Sequence, residues 1–253
     1  MTLDQLLPAD AFALLLVFVR LGAALMLLPG FGEIYVMPRT RLLFALALTI
    51  VIAPLVAPSL PRLPADPWQL ALIVGGEAVI GVFFGTLARI LVSGLHIGGT
   101  IIGFQSSLAN ATLFDPANAQ QGSLVGTFLG VFGVVLVFAA NLDHLMLSAL
   151  ADSYTLFVPG AALPWGDLSQ MVTRTVAHAF AIGMQIAAPF IVVGLVFSLG
   201  LGLLNRLMPQ IQVFFVALPL QLGLTFLVMV LMLSAGMMWF LADFQNAISG
   251  LTS

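Results

Sequence analysis

The sequence contains no lysine and no cysteine, and only 7% of its residues are charged, against roughly 25% in an ordinary soluble domain. The lack of cysteine excludes disulfides and thiolate metal sites. Seven cations, all of them arginine, and ten acids in 253 residues cannot clothe a water-facing surface. Most of this surface must therefore meet lipid or other protein. A net charge of −3 is too small to point to nucleic acid or to an acidic substrate. Catalytic patterns are missing too: there is no HExxH, no Walker loop and no G-x-S-x-G elbow. His96, His144 and His178 form no H-x-x-x-H pair, and Asp143 and His144, being adjacent, point to different parts of a helix face and make no dyad by spacing. An enzymatic, metal or cofactor role thus has no constellation to stand on. The opening MTLDQLLPAD has no basic residue and two Asp, and reads as an uncleaved first segment rather than a secretory signal.

What the chain does have is apolar length. Hydrophobic residues make up 61% of it, gathered into six runs: Phe12–Leu28, Leu42–Val56, Trp68–Val92, Leu124–Leu150, Val172–Leu204 and Ile211–Leu241. A helix needs about 20 such residues to cross a bilayer. Periodicity gives no sign of alternating strands, so the expected fold class is all-α: a hydrophobic multi-helix membrane-associated protein of about six long segments and kinked hairpins. Breakers separate the runs, among them LPGFGEIYVMPR, the proline-rich APSLPRLPADP, VPGAALPWGD and the short turn NRLMPQ. Six spans would place Arg39, Arg41, Arg89 and Arg206 on one side and Arg62 and Arg174 on the other. The positive-inside tendency then puts NRLMPQ in the cytoplasm and the N-terminus outside. The last two runs, at roughly 45–50 Å if continuous, exceed a hydrocarbon core of about 30 Å. Either Pro189 and Pro219 bend them sharply, or the hairpin leaves the bilayer and is buried by protein.

Several polar residues interrupt this apolar chain. Ser93–Ser123 is rich in Gly, Ser, Asn and Gln. It reads either as an extramembrane loop or as a segment folded into a pore, since irregular backbone at membrane depth must be buried in protein or line a wet cavity. Phe114, Asp115 and Pro116 make a turn within it, because Pro116 disfavours the α conformation at Asp115. Glu77 lies inside the third run and shares an i, i+4, i+8 stripe with Gly81 and Gly85, a small-residue face suited to close helix contact. Pairing to a neighbouring helix for assembly is favoured over a proton relay, because no second acid shares that face. Arg20 interrupts the first run, where a central arginine costs about 2.5–3.5 kcal/mol on insertion scales, so it should face a partner or a polar interior. Glu33 is expected to pair locally with Arg39 and Arg41 at a helix end. Met229, Met232, Met237 and Met238 in the last run read first as apolar packing and second as an adaptable constriction.

Specific strings then carry a resemblance. LGLLNRLMPQIQVFFVALPLQLG (Leu201–Gly223) resembles the hairpin turn of the FliR family of type III secretion export-gate proteins. IIGFQSSLANATLFDP (Ile101–Pro116) is similar to that family's G-x-Q…DP segment, and Pro29–Pro54 and the Glu77 stretch fit it in the expected order. The resemblance implies a non-enzymatic subunit that joins FliP-like and FliQ-like subunits in a helical, closed-ended hetero-oligomer within the flagellar basal body at the bacterial inner membrane. Other export-apparatus proteins and unfolded flagellar substrates would be further partners. It implies a FliP-like part over residues 1–172 and a FliQ-like hairpin over 173–253. It also implies a plug loop over 106–122, with Gln105, Ser106, Asn110, Phe114, Asp115, Pro116, Gln120 and Gln121 at or beside it. The cytoplasmic entrance would be formed by Asn205, Arg206, Pro209 and Gln210, and assembly would rest on Arg20, Glu33, Glu77, Gly81 and Gly85. The injectisome counterpart shares the family. A conventional secondary transporter or channel would often show inverted repeats and paired broken helices, and neither is visible.

Overall fold

A computed structural model describes residues 9–106, 123–207 and 213–251. Asn110, Phe114, Asp115, Pro116, Gln120 and Gln121 of the expected plug, and Pro209 and Gln210 of the expected entrance turn, lie outside the described residues. Among the described residues there is no strand. The helices are α1 (Ala9–Leu25), α2 (Pro38–Val56, extended by a 3-10 turn Ala57–Ser59), α3 (Pro67–Gln105), α4 (Leu124–Ala139), α5 (Leu142–Leu156), α6 (Trp165–Leu207) and α7 (Val213–Ser249).

Two expectations are corrected here. The third apolar run does not end at Val92: α3 continues to Gln105, so Ser93–Gln105 is helix, not loop. A helix persists there because Gly94 and Gly98 pack against the backbone at Ala179 and Gly183, while Thr100 satisfies its hydroxyl on the His96 carbonyl one turn back (2.8 Å). The fourth run is not one span. Asn141 adopts a left-handed conformation (φ 57°), and α4 and α5 diverge by 78° on either side of it. Asn tolerates that conformation better than most residues, which is why an apolar run breaks at this point. Among the described residues, four helices are therefore long and apolar enough to cross a membrane, or five if the bent pair counts as one span, against the six runs expected. The long runs grow instead. At 43 and 37 residues, α6 and α7 extend about 64 and 55 Å, passing through Pro189 and Pro219 as single helices.

The chain forms two compact units. The first takes Met1–Ile90, Val137–Thr175 and Phe244–Ser253. Its core joins Val17, Leu21, Ile52, Phe84, Leu87 and Leu150. Gly81 and Gly85 face α1 so closely that a methyl group on Gly81 would collide with the Arg20 carbonyl, and one on Gly85 would lie 2.7 Å from the Ala24 carbonyl oxygen. The turn between α1 and α2 is pinned by Phe31, stacked on Phe44 (5.2 Å) and tilted against Phe138 (5.3 Å).

The second unit takes Leu91–Leu136 and Val176–Asp243. Here α3 meets α6 backbone to backbone: a methyl on Gly94 would sit 2.6 Å from the Ala179 carbonyl, and one on Gly98 would sit 2.9 Å from that of Gly183. Gly99 presses in the same way on Gly126 of α4. Ser123 caps α4, its hydroxyl accepting the Gly126 N–H (3.1 Å) and donating to the Gly99 carbonyl (3.1 Å). A methyl on Gly130, one turn beyond Gly126, would meet nothing within 4 Å among the described residues.

Candidate functional site: a buried arginine cage

Arg20 on α1 is wholly buried, and it meets Glu77 of α3, also buried, in a two-pronged ion pair. Its Nε donates to Oε2 (2.7 Å) and its Nη2 to Oε1 (3.0 Å). The pairing is possible because Gly81, one turn beyond Glu77, lets α1 approach the backbone of α3. Two other groups complete the cage. Nη1 donates to the Ser153 hydroxyl (3.1 Å) and Nη2 to the Phe157 carbonyl (2.9 Å), while the guanidinium lies over the Tyr154 ring, 3.9 Å from its centre. That carbonyl is free to accept because α5 ends at Leu156.

Physically this is a desolvated charge answered on all sides. The planar fork of arginine matches a carboxylate in bidentate fashion, and an aromatic face attracts its cation. One partner alone would not offset the desolvation of two ions. The Tyr154 hydroxyl is buried without a hydrogen-bond partner among the described residues. A cavity of about 320 Å³ opens beside Glu77, lined also by Leu72, Gly76, Ile80 and Leu163.

Sequence reasoning named Arg20 and Glu77 separately, and the structure brings them together with Gly81 and Gly85. It missed Ser153, Tyr154 and Phe157, which carry no signal in an apolar run until α5 is folded against α1. The expected local pairing of Glu33 with Arg39 and Arg41 is corrected. The Glu33 carboxylate faces Arg89 of α3 (3.6 Å), and Arg41 instead donates to the backbone carbonyls of Glu33 (3.0 Å) and Val36 (3.4 Å). The turn curls back on itself, presenting carbonyls to Arg41 and sending the side chain towards α3. Asp143 and His144, expected to diverge, do touch (3.2 Å), on the exposed first turn of α5. A second pair escaped notice: His178 of α6 and Asp243 of α7, 65 residues apart, meet at 2.8 Å.

Of the expected plug residues, Gln105 closes α3, its carbonyl accepting the Gln221 side-chain amide (2.6 Å), and Ser106 follows with its hydroxyl on the Gly103 carbonyl (3.0 Å). Asn205 and Arg206 lie exposed in the last turn of α6, where a cation suits the negative end of the helix dipole. Met229, Met232 and Met237 line a cavity of about 240 Å³ with Pro189 and Trp239. Met238 points outward.

Comparison with known proteins places this architecture. The profile of "Bacterial export proteins, family 1" matches residues 11–247. The flagellar biosynthetic protein FliR of Caulobacter vibrioides is 39% identical over 225 residues, covering 88% of this chain and 90% of that protein. FliR of Bacillus subtilis is 28% identical over 88% of this chain and 86% of its own. The Yop proteins translocation protein T of Yersinia pestis is 27% identical, over 73% of this chain and 71% of its own. The chain belongs to the bacterial export proteins of family 1, the family that holds the flagellar FliR proteins and Yop translocation protein T.

Proposed function

We propose that this type III export component is a structural and gating subunit of a flagellar export gate at the bacterial inner membrane. It would combine with FliP-like and FliQ-like subunits around a passage for unfolded flagellar substrates. The observation that carries the reading is the 39% identity to a flagellar FliR across nearly the whole of both chains. The weaker likeness to Yop translocation protein T makes the injectisome counterpart the second reading. The arginine cage serves assembly, by locking α1 to α3 and α5, rather than transport chemistry. Residues 1–172 form the FliP-like part and 173–253 the FliQ-like hairpin. The polar stretch 106–122 acts as a displaceable plug, with Phe114 filling the passage and Asp115-Pro116 setting the turn that presents it. Residues 205–210 form the cytoplasmic mouth.

Complementation tests this. In a flagellated strain lacking its own FliR, with this chain supplied alongside its cognate partner subunits, motility and hook-protein secretion should return. Rescue of an injectisome mutant but not of a flagellar one would overturn the flagellar reading. In the rescued strain, shortening Asn110–Gln121 should leave the complex assembled but make the membrane leak small ions. An assembled, tight membrane would rule out the plug. A cysteine at Gln210, unique in this chain, should label from the cytoplasmic face, and labelling only from the periplasm would reverse the orientation.

A further inference from the structure

Charge is scarce in the second unit, and what there is stands apart from the arginine cage. Among its described residues the titratable side chains are His96, His178, Arg206 and Asp243, so Asp243 is the single acid among them. It is answered by a histidine and not by an arginine: His178 Nε2 of α6 lies 2.8 Å from Asp243 Oδ1 of α7. The other cations are placed elsewhere. His96 turns to α4, its Nδ1 3.0 Å from where a methyl on Gly126 would sit. Arg206 lies in the last turn of α6, about 42 Å further along the helix, and Arg174, one turn before His178, is exposed. The Asp243 side chain is 19% exposed against 47% for His178, and its Oδ2 is buried with no hydrogen-bond partner among the described residues. Solvent protons therefore reach the imidazole, while the carboxylate depends on it.

The pair closes one end of a seam. Helical spacing puts His178, Gln185 and Pro189 on one face of α6 and Asp243, Trp239 and Gly236 on one face of α7. A methyl on Gly236 would lie 3.9 Å from the Ile186 side chain, so these faces meet. Between them lies the cavity of about 240 Å³, which Gln185, Pro189, Gly236 and Trp239 help to line. Apolar contact holds such a seam without direction, and the His178–Asp243 bond adds a directed tie at its end. That tie depends on a proton. Imidazole is the side chain whose charge ordinarily changes between about pH 5 and 8. With both ring nitrogens protonated, His178 donates a charge-assisted bond and its cation answers the whole carboxylate, Oδ2 included. With one proton lost, a neutral N–H faces Oδ1 and the half-buried negative charge is left uncompensated, which favours drawing Asp243 out to water. Falling pH through this range strengthens the tie, and rising pH weakens it.

From this arrangement we infer that His178 and Asp243 form a proton-dependent latch, which holds α6 and α7 together at the end of their seam when the imidazole is charged and frees that end when it is neutral. Release lets the seam open towards the cavity, whose wall begins one turn away at Trp239. Pulsed electron spin resonance reads this opening as a distance. The chain has no cysteine of its own, so cysteines at Val176 and Ala242, both exposed, would carry the spin labels. The labelled chain would be measured in the complex purified with co-expressed, cysteine-free partner subunits. Between about pH 5.5 and about pH 9, on either side of the ordinary imidazole midpoint, the width of the distance distribution should grow at least about twofold. His178→Arg fixes the positive charge and should keep the distribution narrow at both pH values. Asp243→Asn removes the acid and should leave it broad at both. A width that does not change with pH while His178 and Asp243 are in place, or a pH response that persists in either variant, would overturn the latch. Should Asp243→Asn fail to assemble, His178→Arg still decides: a distribution as broad at the lower pH as the unsubstituted pair gives at the higher one would refute it.

Discussion

Glu77 separates two roles that a buried carboxylate can play. Glu77→Leu leaves the Arg20 charge buried opposite a hydrocarbon, a loss of about 3–5 kcal/mol for a broken buried pair. The complex should then fail to accumulate, as read by the yield of extracted assembly. Glu77→Gln keeps the shape and one acceptor for the fork, while Ser153, Phe157 and Tyr154 still surround the guanidinium. Its cost should be nearer 1.5–3 kcal/mol, the worth of a hydrogen bond to a charged group. Assembled Glu77→Gln complexes should still secrete. An assembled but silent Glu77→Gln complex would show that the carboxylate takes part in transport itself, and the assembly role would have to be given up.

At the scale of elements, close helix approach is written in glycine. Gly81→Val would drive a branched side chain into the α1 backbone at Arg20. Overpacking of that kind costs about 1–3 kcal/mol and should lower the melting temperature of the extracted complex. Gly75→Ala, where nothing lies within 4 Å, is the matched control and should be neutral or slightly stabilising, because alanine favours helix over glycine. Equal melting temperatures for the two variants would mean that α1 and α3 are not held in this register. The stripe Glu77, Gly81, Gly85 was legible in the sequence because its spacing is a property of one helix. The seam of Gly94 and Gly98 against Ala179 and Gly183 was not, since it depends on which helices meet. Neither was the corner at Asn141: hydropathy averages over a window, and one left-handed residue does not change the average. The extension of α3 past Val92 was hidden for the opposite reason. Serine, threonine and glycine lower local hydropathy, but they do not end a helix whose neighbours press against it.

At the scale of the molecule, α6 and α7 leave more apolar surface uncovered than one chain can bury. Leu195, Val196, Leu199 and Leu203 form one exposed stripe on α6, and Phe226, Leu227 and Val230 extend the exposure on α7. Helices this apolar on their outer faces need lipid or protein around them, and at about 55–64 Å they outrun any bilayer. On the proposed function, the chain should accumulate only when co-expressed with FliP-like and FliQ-like subunits. Recovery of a monodisperse single-component protein in detergent would refute this. The arginine cage also bears on how the chain is made. Arg20 leaves the ribosome long before its partners: Glu77 follows 57 residues later, Ser153 133 residues later and the Phe157 carbonyl 137 residues later. At about 5–20 residues per second, α1 waits roughly 3–11 s for its counter-ion and roughly 7–27 s for the rest. A lone arginine in hydrocarbon is costly over that whole interval. The first helix therefore has reason to linger at the insertion machinery or the water boundary until α3 arrives, and its burial is fixed not when it is made but when the third helix is.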